Sequence, residues 1–345
     1  MKALLISDDR EKIVEYKDIE DIQELPLAPG EVLTKVLFSS LCHSDLHVAE
    51  NGNQSNFGLS VGHESIHKII RVGDHVTNLE VGDYVAFPAG LHDACGTCKF
   101  CLKGEEVFCE NAVFTTSPKR GGTMQEYTIE SADFCTKVSA NVDLGKACII
   151  TCAGITVYKG LKIANLKPGE FVAIYGIGGL GNVAIEYAKN VFNAKVIAVG
   201  SNPESLKIAK SKGADYVINW KETNLVEEIN KITDNQGVDV ALVTSSTATL
   251  YKQLFNTVSR LGRIIPIGIS NETIEMGLPD LVLNGKQILG SLIGTRKDLE
   301  ESLQALYDGK VNPEFEYKPL SHAPKYFKLM QEFKLHKRIV FDCSK

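Results

Sequence analysis

A chain of 345 residues with 44% apolar and 23% charged content has the make-up of a globular protein and is long enough for two domains. Its net charge of −6, with no basic arm, argues against a nucleic-acid partner, because binding to a phosphate backbone rests on clustered Lys and Arg. The start, Met1-Lys-Ala-Leu-Leu-Ile-Ser-Asp-Asp9, lacks the apolar core of a signal peptide, and no later run approaches the ~20 apolar residues of a membrane span. A cytoplasmic protein without a membrane partner is therefore expected, and its nine cysteines point to metal or catalysis more than to disulfides.

In chain order, Ile13 to Tyr127 consists of short β-prone runs broken by Gly, Pro and Asp, such as Gly30–Leu37 and Val81–Phe87, which predicts a β-rich, barrel-like domain. After Asp143, longer helical stretches alternate with apolar strands at Phe171–Tyr175, Val196–Val199, Val238–Val243, Arg263–Gly268 and Gln287–Leu292. That alternation predicts an α/β domain with a doubly wound parallel sheet. The last fifty or so residues turn mixed again, with a helix near Asp298–Leu306 and a final strand at Arg338–Phe341, and are expected to return to the first domain. The division is then residues 1–150 with 290–345, and residues 151–289.

Three clusters carry chemistry. Phe171-Val-Ala-Ile-Tyr-Gly-Ile-Gly-Gly-Leu-Gly181 reads as strand, tight turn and helix start, with Gly176, Gly178, Gly179 and Gly181 placed to let a backbone approach a pyrophosphate at a helix N-terminus. Such a turn also serves packing alone, but here a helical stretch and a second strand follow it. Cys95, Cys98, Cys101 and Cys109 lie within one short lobe, at a spacing that closes four thiolates on one structural zinc, the alternatives being four chance cysteines or an iron–sulfur cluster. Cys42-His-Ser-Asp-Leu-His47 and Val61-Gly-His-Glu64 bring together a thiol, histidines and carboxylates. A catalytic zinc takes three protein ligands, for which Cys42 and His63 are candidates, with Cys152 as a candidate third. Each of these residues taken singly reads better as a buried thiol or a hydrogen-bonded histidine.

Taken jointly, these motifs, with Thr151-Cys-Ala-Gly-Ile-Thr-Val-Tyr-Lys159 and Gly290-Ser-Leu-Ile-Gly-Thr-Arg296, resemble the zinc-dependent medium-chain alcohol dehydrogenases, especially their microbial tetrameric branch. The resemblance covers nearly the whole chain. It implies a GroES-like catalytic domain, a Rossmann domain, two zincs per chain and reversible hydride transfer between an alcohol and its aldehyde or ketone. It also implies a homotetramer or homodimer. Cys42, His63 and Cys152 match the catalytic zinc ligands, Glu64 a carboxylate that approaches the metal, and Asp45 the partner that orients a metal-bound imidazole. Ser44 and His47 match a proton relay, His43 and Arg338 contacts to the cofactor pyrophosphate, and Thr156 and Leu180 groups that pack on the nicotinamide.

Departures from the family pattern bear on specificity. NAD-preferring members end their second strand on an acid that binds the adenosine ribose, whereas this chain reads Gly200-Ser201-Asn202-Pro203, with no acid to repel a 2′-phosphate and Asn202 where NADP-dependent relatives carry arginine. Trp220 falls where those relatives have a tyrosine, Lys207 adds a nearby charge, and the cofactor expectation leans to NADP over NAD. Gly90 and the segment Val48–Gln54 lack the tryptophans of microbial relatives, which predicts a roomier substrate pocket unless Leu91, Phe57 or Leu292 fills it. His67 stands where a glycine is usual. The rival readings are a polyol dehydrogenase, which usually presents glutamate in place of Cys152, a zinc-free quinone reductase, and an inactive nucleotide-binding redox sensor.

Overall fold

A computed structural model describes residues 1–9, 11–50, 56–117, 121–247, 249–335 and 337–345, and the chain divides into two compact units. One comprises Met1–Cys152, Gly294–Leu303 and Glu314–Lys345, and the other Ala153–Ile293 and Gln304–Pro313.

The first unit is built on a seven-stranded sheet. Its path runs Phe315–Pro319, Arg338–Asp342, Glu31–Ser40, Glu64–Val72, Tyr84–Ala86 and Thr136–Lys137, and Tyr127–Ser131 pairs off this path with Glu31–Ser40. All pairings in it are antiparallel except that of Phe315–Pro319 with Arg338–Asp342. The central strand Glu31–Ser40 buries Val32, Leu33, Thr34 and Val36. Leu4, Val36, Leu46, Val61, Phe327 and Phe341 gather into one apolar core beside it. The C-terminal strand thus lies next to the central strand, and this adjacency brings Arg338 to the site described below.

The second unit holds a six-stranded, all-parallel sheet in the order Tyr216–Asn219, Lys195–Gly200, Phe171–Tyr175, Val238–Val243, Val258–Pro266, Gln287–Ile288. Relative to the chain, the order is 3-2-1-4-5-6, the doubly wound arrangement in which ligands sit at the carboxyl ends of the strands where the order reverses. Ala173, Ile197, Ala241 and Ile264 are fully buried, as near-continuous apolar runs in a sheet covered on both faces must be.

A helical run from Leu144 to Ile163 is capped by Asp143, whose carboxylate accepts from the N–H groups of Gly145 and Lys146 at 2.9 and 3.4 Å. Its middle, Ile150–Gly154, widens into a π turn, a form frequent at functional sites. By length and composition alone this run would cross a membrane, but 78% of its apolar window is buried inside the protein, as in a core helix.

Candidate functional site

The first unit gathers Cys42, His63, Glu64 and Cys152, and one ligating atom from each lies within 4.8 Å of the others. Cys42 sits between the end of the central strand and the helix His43–Glu50, His63 and Glu64 open the strand Glu64–Val72, and Cys152 lies in the π turn. Asp45 ties two donors together. Its Oδ2 accepts from the Cys42 main-chain N–H at 3.0 Å, and its Oδ1 pairs with His63 Nδ1 at 2.8 Å. A carboxylate on Nδ1 leaves Nε2 of the ring as the ligating atom, the outer-shell arrangement of a metal-binding histidine.

The charge pattern suits a soft divalent cation. Cys42 is held well below the ordinary thiol range by the hydrogen bond from Cys152 and then by His63, against burial, and Cys152 is pushed well up by the same bond and by burial. Burial pulls His63 down, but Asp45 and the Cys42 thiolate outweigh it and raise the ring well above its usual range, so a metal ion taking Nε2 would displace a proton. Glu64 rises to about 7 through burial, opposed by Arg338, with which it forms a buried ion pair. Glu64 Oε1 is buried with no hydrogen-bond partner, an orphaned acceptor beside two thiols and an imidazole. Two sulfurs, one nitrogen and a spare carboxylate oxygen are a donor set that zinc fits.

The sequence-named relay residues Ser44 and His47 are exposed on the helix His43–Glu50, three residues apart and hence on one face. Ser44 Oγ lies 3.8 Å from Cys42 Sγ. His43 is exposed at the start of the same helix, its ring 6.4 Å from that of His47. Arg338 engages Glu64 and Ser40 Oγ. His67 is fully buried, with Nδ1 at 2.8 Å from Thr34 Oγ1, Nε2 at 2.7 Å from Ser65 Oγ, and its ring edge-on to Phe87. Where the family has glycine, this chain has a satisfied polar core residue. A Cβ on Gly90, at φ 70°, would lie 2.1 Å from Thr115 Oγ1, so Thr115 occupies the space into which a tryptophan there would start, and the missing side chain leaves no void at that point. Asn51–Asn53, the other place where tryptophans were missed, lie outside the described residues.

The second cluster, Cys95, Cys98, Cys101 and Cys109, also converges within 4.8 Å, with Cys95 and Cys109 sulfurs 3.6 Å apart and those of Cys98 and Cys101 likewise 3.6 Å. Main-chain N–H groups of Cys95, Cys98 and Cys101 donate to the sulfurs of Cys109, Cys95 and Cys98 at 3.3, 3.3 and 3.5 Å, which favours thiolates. Cys95 is lowered to about 6, first by the Thr97 N–H and hydroxyl, whereas Cys101 is raised to about 12 by desolvation and its thiol neighbours. Four sulfurs and no open side fit a closed structural zinc.

In the second unit a groove of about 320 Å³ is lined by Gly176, Gly200, Ser201, Asn202 and Trp220, all named from sequence, and by Ile177, Ser205, Ser245, Thr247 and Gln253 among others. Gly176 adopts φ 100°, and a Cβ on Gly181 would lie 2.1 Å from Gly176 O, so the turn needs glycine at both places. Around Gly178 the space is open to 4 Å, room for a ligand to approach the main chain where the helix Gly179–Glu186 begins. Leu180 lies in the first turn of that helix, Thr156 is buried on the helix Ile155–Ile163, and Lys207 is exposed on Pro203–Ser211, all three outside the groove lining. Asn202 caps the helix Pro203–Ser211, its Oδ1 accepting from Glu204 and Ser205 N–H at 2.9 and 3.3 Å, so only its amide N–H₂ is left to face a ligand. Ser245 and Thr247 follow the strand Val238–Val243. Sequence reading passed over them, although small polar residues just beyond a parallel strand are the signal of a ligand-binding end.

The family described as alcohol dehydrogenase GroES-like domain matches residues 28–140, and that described as zinc-binding dehydrogenase matches residues 179–308. The chain is similar to the alcohol dehydrogenase of the hyperthermophilic archaeon Aeropyrum pernix, at 26% identity over 99% of this chain and 100% of that one, with a TM-score of 0.87. It is similar also to an alcohol dehydrogenase of Thermus sp. ATN1, at 25% identity over 99% of each chain and a TM-score of 0.91. A third similar structure is an acetophenone reductase from Geotrichum candidum in complex with NAD, at 25% identity over 99% of this chain and 96% of that one, with a TM-score of 0.85.

Proposed function

The chain belongs to the zinc-dependent medium-chain alcohol dehydrogenases, and from that membership we propose that it moves a hydride reversibly between an alcohol and NADP, or less readily NAD. The observation that carries the reading is the convergence of Cys42, His63, Glu64 and Cys152 within 4.8 Å, with Asp45 bridging two of them. Cys42, His63 and Cys152 would hold a zinc ion, with the Glu64 carboxylate beside them, and the ion would supply Lewis acidity toward a substrate oxygen. The nicotinamide supplies the hydride acceptor. Ser44 takes the substrate hydroxyl proton and His47 passes it to solvent, which the exposure of both side chains supports. Arg338, in its ion pair with Glu64, holds that carboxylate and presents a cation for the cofactor pyrophosphate. A closed zinc in the Cys95–Cys109 lobe stabilises the fold and takes no part in the reaction.

The lean toward NADP rests on the groove, whose lining at Gly200, Ser201, Asn202, Ser205, Trp220 and Gln253 carries no carboxylate against a 2′-phosphate. Cys152 in the donor set favours an alcohol dehydrogenase over a polyol dehydrogenase. The likeness to an acetophenone reductase supports ketones as well as aldehydes as substrates. A homotetramer or homodimer, working in the reducing cytoplasm that suits the free thiols, completes the reading.

Zinc content measured beside steady-state turnover tests it. About two zincs per chain are expected, together with reduction of acetaldehyde or acetophenone by NADPH. Cys42→Ala and Cys152→Ala should each lose one zinc and essentially all turnover while the chain stays folded. Undiminished turnover in either variant would refute the assignment.

A further inference from the structure

One buried thiol beside the metal donors has no part in the reaction above. Cys148 precedes Cys152 by four residues on the same helical run and is fully buried. Its Sγ lies 3.2 Å from the main-chain oxygen of Glu64 and 3.8 Å from that of Phe38. A thiol has one proton to donate, and the nearer carbonyl receives it. That carbonyl belongs to a donor residue and directly follows His63.

The π turn explains why such a link matters. Its hydrogen-bond pattern departs from that of the helix on either side, so the turn takes its position from the groups around it. Two anchors hold its leading end. Thr151 accepts from the Ala89 N–H through its main-chain oxygen at 2.7 Å, while its hydroxyl donates to Cys148 O, also at 2.7 Å. The Cys148 thiol then reaches across to the strand Glu64–Val72. Cys152 comes from the helix, His63 and Glu64 from the mouth of the strand, and this side-chain to main-chain bond spans the two.

We propose that Cys148 is a positioning residue for the catalytic metal: its hydrogen bond to the Glu64 carbonyl holds the donor-bearing strand in register with the π turn, keeping Cys152 beside His63 and Glu64. The proposal rests on the zinc reading above. A residue that only filled space would need no acceptor, and valine would replace it.

The test compares Cys148→Ser, which keeps a donor, with Cys148→Val, which keeps volume and loses it, by chelator competition on the fully zinc-loaded protein. The lobe zinc serves as an internal reference, and thermal unfolding reports the fold. Cys148→Val should release the catalytic zinc at least about tenfold more readily, the scale on which outer-shell partners act, and Cys148→Ser should stay within about threefold of the parent. The lobe zinc should be unaffected in both. In cobalt-substituted protein, the thiolate-to-metal absorption should shift in Cys148→Val and return in Cys148→Ser. Parent-like zinc retention in Cys148→Val, or equal weakening of both zincs, would overturn the proposal and leave the zinc reading standing. A parent protein that binds zinc only in the lobe, unchanged by Cys42→Ala, would overturn the zinc reading and this proposal with it.

Discussion

His67 shows what one buried side chain does to the whole stability profile. Burial, with His92 beyond Phe87 adding to it, lowers its pKa to about 3 from the usual 6.5, and Thr34, Thr128 and Ser65 hydroxyls satisfy the neutral ring. Between those two values the unfolded chain binds a proton that the folded chain excludes, so stability falls as pH drops below 6.5. From this residue alone the slope reaches about 1.4 kcal/mol per pH unit. His92, paired with Glu130 at 3.4 Å, and Glu64 are further buried ionisable groups of this unit, so the contribution of His67 is read as the difference between the parent and a His67 variant. Urea midpoints measured from pH 7.5 to pH 5 should fall less steeply for His67→Gln than for the parent, and equal slopes would show that His67 titrates normally. Gly200 bears on cofactor selectivity. A Cβ there meets Leu206 Cδ2 at 3.2 Å, a flexible group that can give way, so Gly200→Asp should fold. It should turn the ratio of kcat/KM for NADPH over NADH by about tenfold or more toward NADH, some 1.4 kcal/mol, by setting a carboxylate against the 2′-phosphate. A parent enzyme that strongly prefers NADH would defeat this reading of the groove.

Among the elements, the four-cysteine lobe is fastened by a side chain far along the chain. Arg296 donates through Nε and its terminal nitrogen to both carboxylate oxygens of Glu106, three residues before Cys109, at 2.7 to 3.1 Å, and through its other nitrogen to Asp133 O at 2.7 Å while stacking on Phe134. Lysine keeps the charge and loses the fork. Arg296→Lys should cost about 1–3 kcal/mol in thermal or urea unfolding and speed loss of the lobe zinc to chelator, with the catalytic zinc retained. Sequence reading found the elements where apolar runs are unbroken: Phe171–Tyr175 and Val238–Val243 appear as expected, and Val196–Val199 gains one residue at each end. It missed Tyr216–Asn219, an edge strand in which Tyr216 and Val217 are 42% and 41% exposed and only Ile218 is buried, because Asp215 and Asn219 confine its apolar run to three residues. The fifth and sixth strands shift, to Val258–Pro266 and to Gln287–Ile288, because Arg260, Leu261 and Gly262 interrupt one pattern and pairing with Arg263–Ile264 limits the other. The residues that converge within 4.8 Å were legible from residue type and spacing. The Glu64–Arg338 pair, 274 residues apart, and the π turn under Cys152 were not, because both arise from packing and leave no local pattern.

At the scale of the whole molecule, four strongly exposed apolar side chains lie beside one edge of the parallel sheet. Leu261, Leu278, Val282 and Leu283 are 72% to 77% exposed, and the Leu261 N–H bonds to Asn284 O at 2.8 Å, which sets the first beside the other three. The strand Gln287–Ile288 closes the sheet on that side with one edge unpaired. An open edge flanked by leucines is a hazard for a solitary chain and a natural seat for a second copy related by a two-fold axis. A two-fold seat buries four such side chains from each copy, roughly 12–24 kcal/mol by the usual allowance per residue. Association costs about 4–15 kcal/mol, and a charge buried on each copy at this edge is enough to reverse the balance. Val282→Glu should therefore halve the mass measured by light scattering or sedimentation, from tetramer to dimer or from dimer to monomer, and leave the zinc content unchanged. A variant with the parent's mass would place the subunit contact elsewhere on the chain, and a parent that is already monomeric would remove the reason for the exposed leucines.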